Sequence, residues 1–344
     1  MQLGLKKVLP DFIRNIRSKL DLAVKKNIYR NLVFKGGGVR GIAYVGALEV
    51  LDELGVVDPI QRVAGTSAGA FAATLVSFRK SIPETKAILD TLDVKRIPQK
   101  RTKSRKLKFW ETIDDESYLR FFNRYGWYSS QYFYDWIQDV IADQCDGNRR
   151  ATFSEFRDRG FRDLYIVASN ISRQRAEFFS ADRSPNVAVA DAVRMSVSIP
   201  IFFEALRFDG ERFGAGDYYV DGGLFDNFPM HIFDAPRFKQ NNLVYSDGIN
   251  WETLGLFLFP EEIKTLEDPR HPENVWNFLT LTLRNLYNAH QVSNYRTNPV
   301  DVYRTIEISD CGISAVEFDL APGSEKYNTL YHSGRKAVRE FFEL

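Results

Sequence analysis

A three-layer α/β/α fold, with a central mixed, mainly parallel sheet between helices, is what three stretches of this 344-residue chain predict. Leu32-Val33-Phe34 is a short apolar run that feeds a glycine loop, Gly36 to Gly41, and then a helical stretch from Ile42 to Leu54. Arg62-Val63-Ala64 is a second short strand, which ends in Gly65-Thr66-Ser67-Ala68-Gly69 before another helical run from Ala70 to Val76. Leu164 to Ala168 is a third apolar strand. Strand, loop, helix, strand, turn and helix in that order form a parallel α/β unit.

The remaining elements follow along the chain. Residues 1–28 read as a basic amphipathic helix, because Leu9, Phe12, Ile13, Ile16, Leu20 and Val24 recur at helical spacing with Lys and Arg between them. Gly55 ends the helix that starts at Ile42. Residues 94–110 break the pattern: they carry Lys95, Arg96, Lys100, Arg101, Lys103, Arg105, Lys106 and Lys108 without an acid, and read as a basic loop. Tyr118 to Ile141 reads as helices around Gly126. Glu177-Phe178-Phe179 is a further strand, and Val187 to Ser196 is a helix that ends near Pro200. Thr253–Phe259 and Thr305–Ile308 are late strands, and Glu325 to Phe342 is the last helix. No repeat or linker-like tract interrupts residues 29–344. They are expected to form one domain whose motifs lie in 29–232, completed by the strands and helices of 233–344.

Composition narrows the function classes. A net charge of +1 argues against a nucleic-acid partner for the protein as a whole. Two cysteines cannot build a disulfide framework, so a reducing compartment is the default. The four histidines are scattered, and no Cys/His/Asp cluster has zinc spacing, so neither a metal nor another cofactor is expected. The amino-terminal segment has no uninterrupted apolar stretch of the signal-peptide kind, and no apolar run approaches the roughly 18 residues of a spanning helix. The expectation is a cytoplasmic protein that meets a membrane only at its surface.

The chemistry centres on Ser67. Gly-x-Ser-x-Gly between a strand and a helix is the pattern of a nucleophile elbow. Gly65 and Gly69, lacking Cβ atoms, permit the sharp turn that exposes the Ser67 hydroxyl. A serine alcohol is a weak nucleophile and requires a base and donors for the oxyanion. Backbone N–H groups of Gly36, Gly37, Gly38, Val39, Arg40 and Gly41 are the candidate donors, at a strand end and helix start where negative charge is favoured. Gly36-x-Gly38-x-x-Gly41 also matches a dinucleotide fingerprint. That fingerprint expects an acidic residue about 20 positions on, at the end of the next strand, and here the next strand ends in the serine turn instead. Asp221, at the end of Tyr219-Val220-Asp221 and before Gly222 and Gly223, can reach into a cleft as a base, although Asp-Gly-Gly is also a plain tight turn. His231, His271, His290 and His332 follow Asp221 and keep a Ser–Asp–His arrangement open, although none sits in a recognisable loop motif.

The order of GGGVRG after a strand, then GTSAG, then DGG, resembles the patatin-like phospholipases. Gly126-Trp127-Tyr128-Ser129, Leu164–Asn170 followed by Phe178-Phe179-Ser180, the block from Ala190 to Pro200, and Asp226-Asn227-Phe228-Pro229 are similar to further segments of that family, so the resemblance covers roughly residues 29–232. It implies Ser67 as nucleophile, Asp221 as general base, an oxyanion hole in the Gly36–Gly41 loop with Arg40 at the family's basic position, and no catalytic histidine or metal. The implied activity is phospholipase A-type hydrolysis through an acyl-serine. A lysophospholipase or general esterase, or a silent binding protein on the same fold, are the alternatives. Phospholipids or other acyl lipids would be the substrates, with transient membrane contact and control by an activating ligand or homo-oligomerisation. The basic segments at 1–28 and 94–108 do not follow from the resemblance. Lys100, Arg101, Lys103, Arg105 and Lys106 are candidate membrane contacts on charge alone.

Overall fold

The computed structural model describes residues 29–99, 115–239, 245, 246, 248–259, 278, 295 and 299–344. The basic segment 1–28 and the candidate membrane contacts Lys100, Arg101, Lys103, Arg105 and Lys106 lie outside the described residues. The chain enters through β1 (Asn31–Phe34), passes a 3-10 turn at Gly38–Ile42, and forms α1 (Ala43–Glu53), β2 (Arg62–Thr66), α2 (Ala68–Ser77) and α3 (Ile82–Asp90). Ser81 and Glu84 close a capping box at the start of α3, which fixes where that helix begins. Then come α4 (Asp115–Arg124), β3 (Gly126–Tyr128), α5 (Gln131–Gln144) and α6 (Phe153–Asp158). These are followed by β4 (Asp163–Asn170), β5 (Arg175–Phe179), α7 (Val189–Ser196), β6 (Ile201–Phe203), β7 (Leu206–Phe208) and β8 (Asp217–Asp221). The last elements are β9 (Tyr245–Ser246), β10 (Ile249–Asn250), β11 (Thr253–Phe259), α8 (Pro299–Tyr303), β12 (Thr305–Ser309) and α9 (Glu325–Phe341).

Eight strands form the main sheet in the order β12-β11-β1-β2-β4-β8-β7, with β5 also paired to β4. The run from β12 to β4 is parallel, and β8, β7 and β5 are antiparallel. The central strands are buried on both faces and alternate between two apolar layers. Leu32, Phe34, Val63, Leu164 and Ile166 point into the larger core. Val33, Ala64 and Tyr165 point the other way, onto Met230, Phe233 and Phe238. The architecture is the expected three-layer α/β/α.

Three local expectations change. Gly126 opens β3, which pairs in parallel with β6, where only a break between helices was expected. The helix expected from Ile42 begins as a 3-10 turn at Gly38, so part of the glycine loop is wound. Val94–Arg96 is a short 3-10 turn, whose Lys95 pairs with Asp319 at 2.6 Å and whose Arg96 lies over the Tyr132 ring.

Candidate active site

The sheet register brings the two candidate catalytic residues together. Thr66 of β2 pairs with Val167 of β4, so Ser67 lies level with Ala168, and Ala168 pairs with Asp221 of β8. Ser67 therefore leaves β2, and Asp221 ends β8, at one level on either side of β4. Ser67 takes φ 55° and ψ −126°, a backbone region that an L-residue enters at a cost and that marks functional turns. The crossing at this turn is close: a Cβ on Gly65 would stand 2.1 Å from the Gly69 carbonyl oxygen, and one on Gly69 would stand 2.2 Å from that of Phe34. Gly222 passes just as closely under β4, where a Cβ would lie 2.2 Å from the Val167 oxygen.

Asp221 is buried. Its Oδ1 accepts the Gly223 N–H at 2.8 Å, and its Oδ2 has no partner that meets hydrogen-bond geometry. Burial pushes the carboxyl up to about 7, and the nearby Ser67 hydroxyl and the Gly223 N–H pull it back only in part. A carboxyl poised near neutrality, with one oxygen open beside an elbow serine, can accept that serine's proton.

The C-terminal end of α7 holds both residues. The Ser196 hydroxyl donates to the Val167 carbonyl at 2.6 Å and accepts the Ser67 N–H at 2.8 Å. Two residues on, the Ser198 carbonyl accepts the Asp221 N–H at 2.7 Å. Sequence reading placed this block behind the site only through the family resemblance. That Ser196 ties the elbow to β4 follows from packing and was not visible in the sequence.

The glycine loop is narrower as a donor set than expected. The Gly36 N–H is taken by the Asn227 carbonyl at 3.1 Å and the Val39 N–H by the Ala315 carbonyl at 3.0 Å. Among the described residues the N–H groups of Gly37 and Gly38 have no acceptor, which leaves them for an oxyanion. Arg40, at the family's basic position, is buried: Nη1 pairs with Asp310 at 2.6 Å and Nε donates to the Gly37 carbonyl at 2.9 Å. In a trans peptide the C=O and N–H point oppositely, so this bond turns the Gly38 N–H away from Arg40. The Tyr44 hydroxyl donates to the Lys35 carbonyl just before the loop. Lys35 itself is buried, its amine donating to the Leu258 carbonyl at 3.1 Å, and burial and the Arg40 charge pull its pKa down to about 7.

Gly38 has φ +59°, and a Cβ there would sit 2.1 Å from the Ala315 carbonyl oxygen. The obstacle to a side chain is therefore Ala315 rather than a substrate carbonyl. Gly38→Ala should already lower kcat on a soluble short-chain ester by about a hundredfold, the size of losing one oxyanion donor, with the circular dichroism spectrum preserved. Wild-type kcat in a folded Gly38→Ala protein would place the oxyanion donors elsewhere.

No described histidine bonds Ser67 or Asp221. His231 is exposed and faces Asp226, Nδ1 to Oδ2 3.7 Å, where burial raises the carboxyl and the imidazole charge opposes it. His332 is exposed on α9, and His271 and His290 lie outside the described residues. Among the described residues no three His, Cys, Asp or Glu side chains could hold a metal, and no helix is long and apolar enough to cross a membrane.

From Ser67 an almost wholly apolar channel of about 120 Å³ runs between α1, α2 and α3. Gly38, Ser67, Ile199 and Phe318 all border it. Apolar walls with a few polar groups at one point are the usual make-up of a small-molecule site.

The sequence model of the family described as patatin-like phospholipase matches residues 32–234. An uncharacterized protein of Acanthamoeba polyphaga mimivirus is 26% identical over 323 residues, which span 92% of this chain and 95% of that protein. The uncharacterized protein YqhO of Bacillus subtilis is 30% identical over 286 residues, 80% of this chain and 88% of that protein. The crystal structure of VipD from Legionella pneumophila shares the fold with a TM-score of 0.56 at 16% identity, covering 92% of this chain and 67% of that one. With its family motifs falling on one strand-end site, the chain belongs to the patatin-like phospholipase family.

Proposed function

We propose that this protein is a serine acyl hydrolase of the phospholipase A type, cleaving acyl esters of glycerophospholipids with a Ser67–Asp221 dyad. One geometric fact carries the reading: a buried carboxyl with an unpartnered oxygen stands beside the elbow serine. Asp221 takes the Ser67 proton as Oγ attacks the acyl carbonyl. The N–H groups of Gly37 and Gly38 receive the negative charge on the carbonyl oxygen. The alcohol leaves with the proton from Asp221, and the acyl-Ser67 ester remains. Water, activated by the same carboxylate, then releases the fatty acid. No step requires a metal.

The proposed partner is an anionic membrane surface. The segment 94–110 carries eight Lys or Arg residues and no acid. Each basic residue at such a surface contributes about 1 kcal/mol, and the attraction fades over a Debye length of about 10 Å at 0.1 M salt. The test is product release from phosphatidylglycerol vesicles. Free fatty acid and lysophospholipid should appear in equal amounts, and the rate should fall steeply as salt rises to physiological strength. Hydrolysis of a soluble short-chain ester should barely change. Replacing Lys100, Arg101, Lys103, Arg105 and Lys106 by Gln should reproduce the vesicle-specific loss. Release of diacylglycerol or phosphatidic acid would refute acyl-ester cleavage, and an equal response of both substrates to salt would refute the membrane contact.

A further inference from the structure

We infer that the side-chain amide of Asn227 is a positioning group for the oxyanion hole: it sets the Gly36–Gly37 peptide so that the Gly37 N–H faces the acyl carbonyl. The inference rests on the acyl-hydrolase reading and adds to it the residue that aims one of the two donors.

Asn227 holds Gly36 on both of its peptide groups. The Gly36 N–H donates to the Asn227 carbonyl at 3.1 Å, and Asn227 Nδ2 donates to the Gly36 carbonyl at 3.3 Å. A carbonyl only accepts, so the end of the amide that faces it is the NH2. In a trans peptide the N–H points opposite to the C=O. Fixing the Gly36 carbonyl on Asn227 therefore turns the Gly37 N–H to the other side, where no acceptor among the described residues takes it. Arg40 acts in the same way on the next peptide, through the Gly37 carbonyl. Each open donor thus has one side chain that sets its direction. Glycine peptides need such a holder, because they rotate more freely than others.

Asn227 is itself well anchored. It follows Asp221 on the loop that leaves β8. On one side of it, the Asp226 carbonyl accepts the Thr66 hydroxyl at 2.9 Å, directly before the nucleophile. On the other side, the Phe228 ring packs edge-on against Phe257 of β11, with centroids 5.1 Å apart. These ties use the backbone of Asp226 and the ring of Phe228, so they survive a change at Asn227. The loop, the elbow and the amide meet at Gly36, where a Cβ would stand 2.1 Å from Asn227 Oδ1 and 3.1 Å from the Ser67 Cβ. The Asn227 amide bonds Gly36 and not the carboxyl of Asp221, whose Oδ1 takes the Gly223 N–H. A change in the amide should therefore be felt by the oxyanion and not by the base.

The experiment compares p-nitrophenyl butyrate with its thiono analogue, in which sulfur replaces the carbonyl oxygen. Both are given to the full-length wild type, Asn227→Ala and Asn227→Asp. Sulfur is a weak hydrogen-bond acceptor, so loss of an oxyanion donor slows the oxygen ester more than the sulfur one. Asn227→Ala removes the NH2. Asn227→Asp keeps the shape and puts an oxygen against the Gly36 carbonyl, which repels it. In both variants kcat on the oxygen ester should fall about a hundredfold, the size of losing one donor, with KM within about twofold of wild type. The ratio of kcat on the oxygen ester to kcat on the thiono ester should fall about tenfold in both. Because that ratio is taken within one preparation, partial unfolding leaves it unmoved. A ratio within about twofold of wild type in Asn227→Ala, whatever its kcat, would overturn the inference, as would wild-type kcat in Asn227→Asp. Failure of the hydrolase reading looks different: the wild type itself would turn over neither ester, and the inference would fall with it.

Discussion

Ser67→Ala will eliminate acyl-ester hydrolysis, with kcat reduced by a factor on the order of 10⁵ or more, as when the nucleophile of a catalytic unit is removed. The protein will remain folded. The substitution keeps the Cβ that the elbow already carries at φ 55°, and the bond that anchors the turn, Ser67 N–H to Ser196 Oγ, uses the backbone and survives. Only an oxygen facing the channel is lost, so no cavity forms in the core. Thermal unfolding of the variant should match wild type within a degree or two. Turnover at more than about one per cent of wild type in a preparation free of the parent protein would show that another group attacks the ester.

Asp221→Asn will separate activity from stability. An amide cannot accept the serine proton, so kcat should drop by about 10³ to 10⁴. Stability should move the other way. The Asp221 carboxyl has an ordinary value of 3.8 and sits at about 7 in the folded protein. Its favourable contribution is present in full below the ordinary value and is lost as pH rises through about 7, because the folded state then carries a buried charge that the unfolded chain solvates. The penalty at pH 8 has an upper bound of about 4 kcal/mol. Asparagine does not ionise and can keep the bond from the Gly223 N–H. The Tm of the variant relative to wild type should therefore rise by a few degrees between pH 4 and pH 8. The same carboxyl sets the acid limb of the wild-type rate, which should fall about tenfold per pH unit below 7. An Asp221→Asn protein whose Tm difference is flat across this range would show that Asp221 is not the buried group that titrates.

Much of the framework was legible because it is written in short-range chemistry. Leu32 to Phe34, Arg62 to Ala64 and Leu164 to Ala168 are short, mostly apolar runs bounded by glycine or polar turns, as buried parallel strands must be. Gly65 and Gly69 could be assigned to a sharp turn because only residues without a Cβ tolerate it. What the sequence hid depends on distant partners. Arg40 is held by Asp310, 270 positions away, so its part as the buried support of the glycine loop depends on a partner that no local pattern reveals. Gly36 and Val39 looked equivalent to Gly37 and Gly38 until Asn227 and Ala315 were seen to occupy their N–H groups. Gly126 read as a helix break because a three-residue strand has too little periodicity to register, and its partner β6 follows Pro200, far along the chain. Which residues line the channel could not be foreseen either, since Ala72, Leu75 and Val76 have the same spacing as ordinary core residues.

The central claim is that Ser67 is activated by Asp221, and covalent labelling with an alkyl fluorophosphonate tests it most directly. Intact mass and peptide mapping should show one adduct per chain, on Ser67. The labelling rate should rise through pH 7 as Asp221 ionises, and should be sharply reduced in Asp221→Asn. An adduct on another residue, no adduct in a preparation that hydrolyses esters, or unchanged labelling of Asp221→Asn would contradict the account.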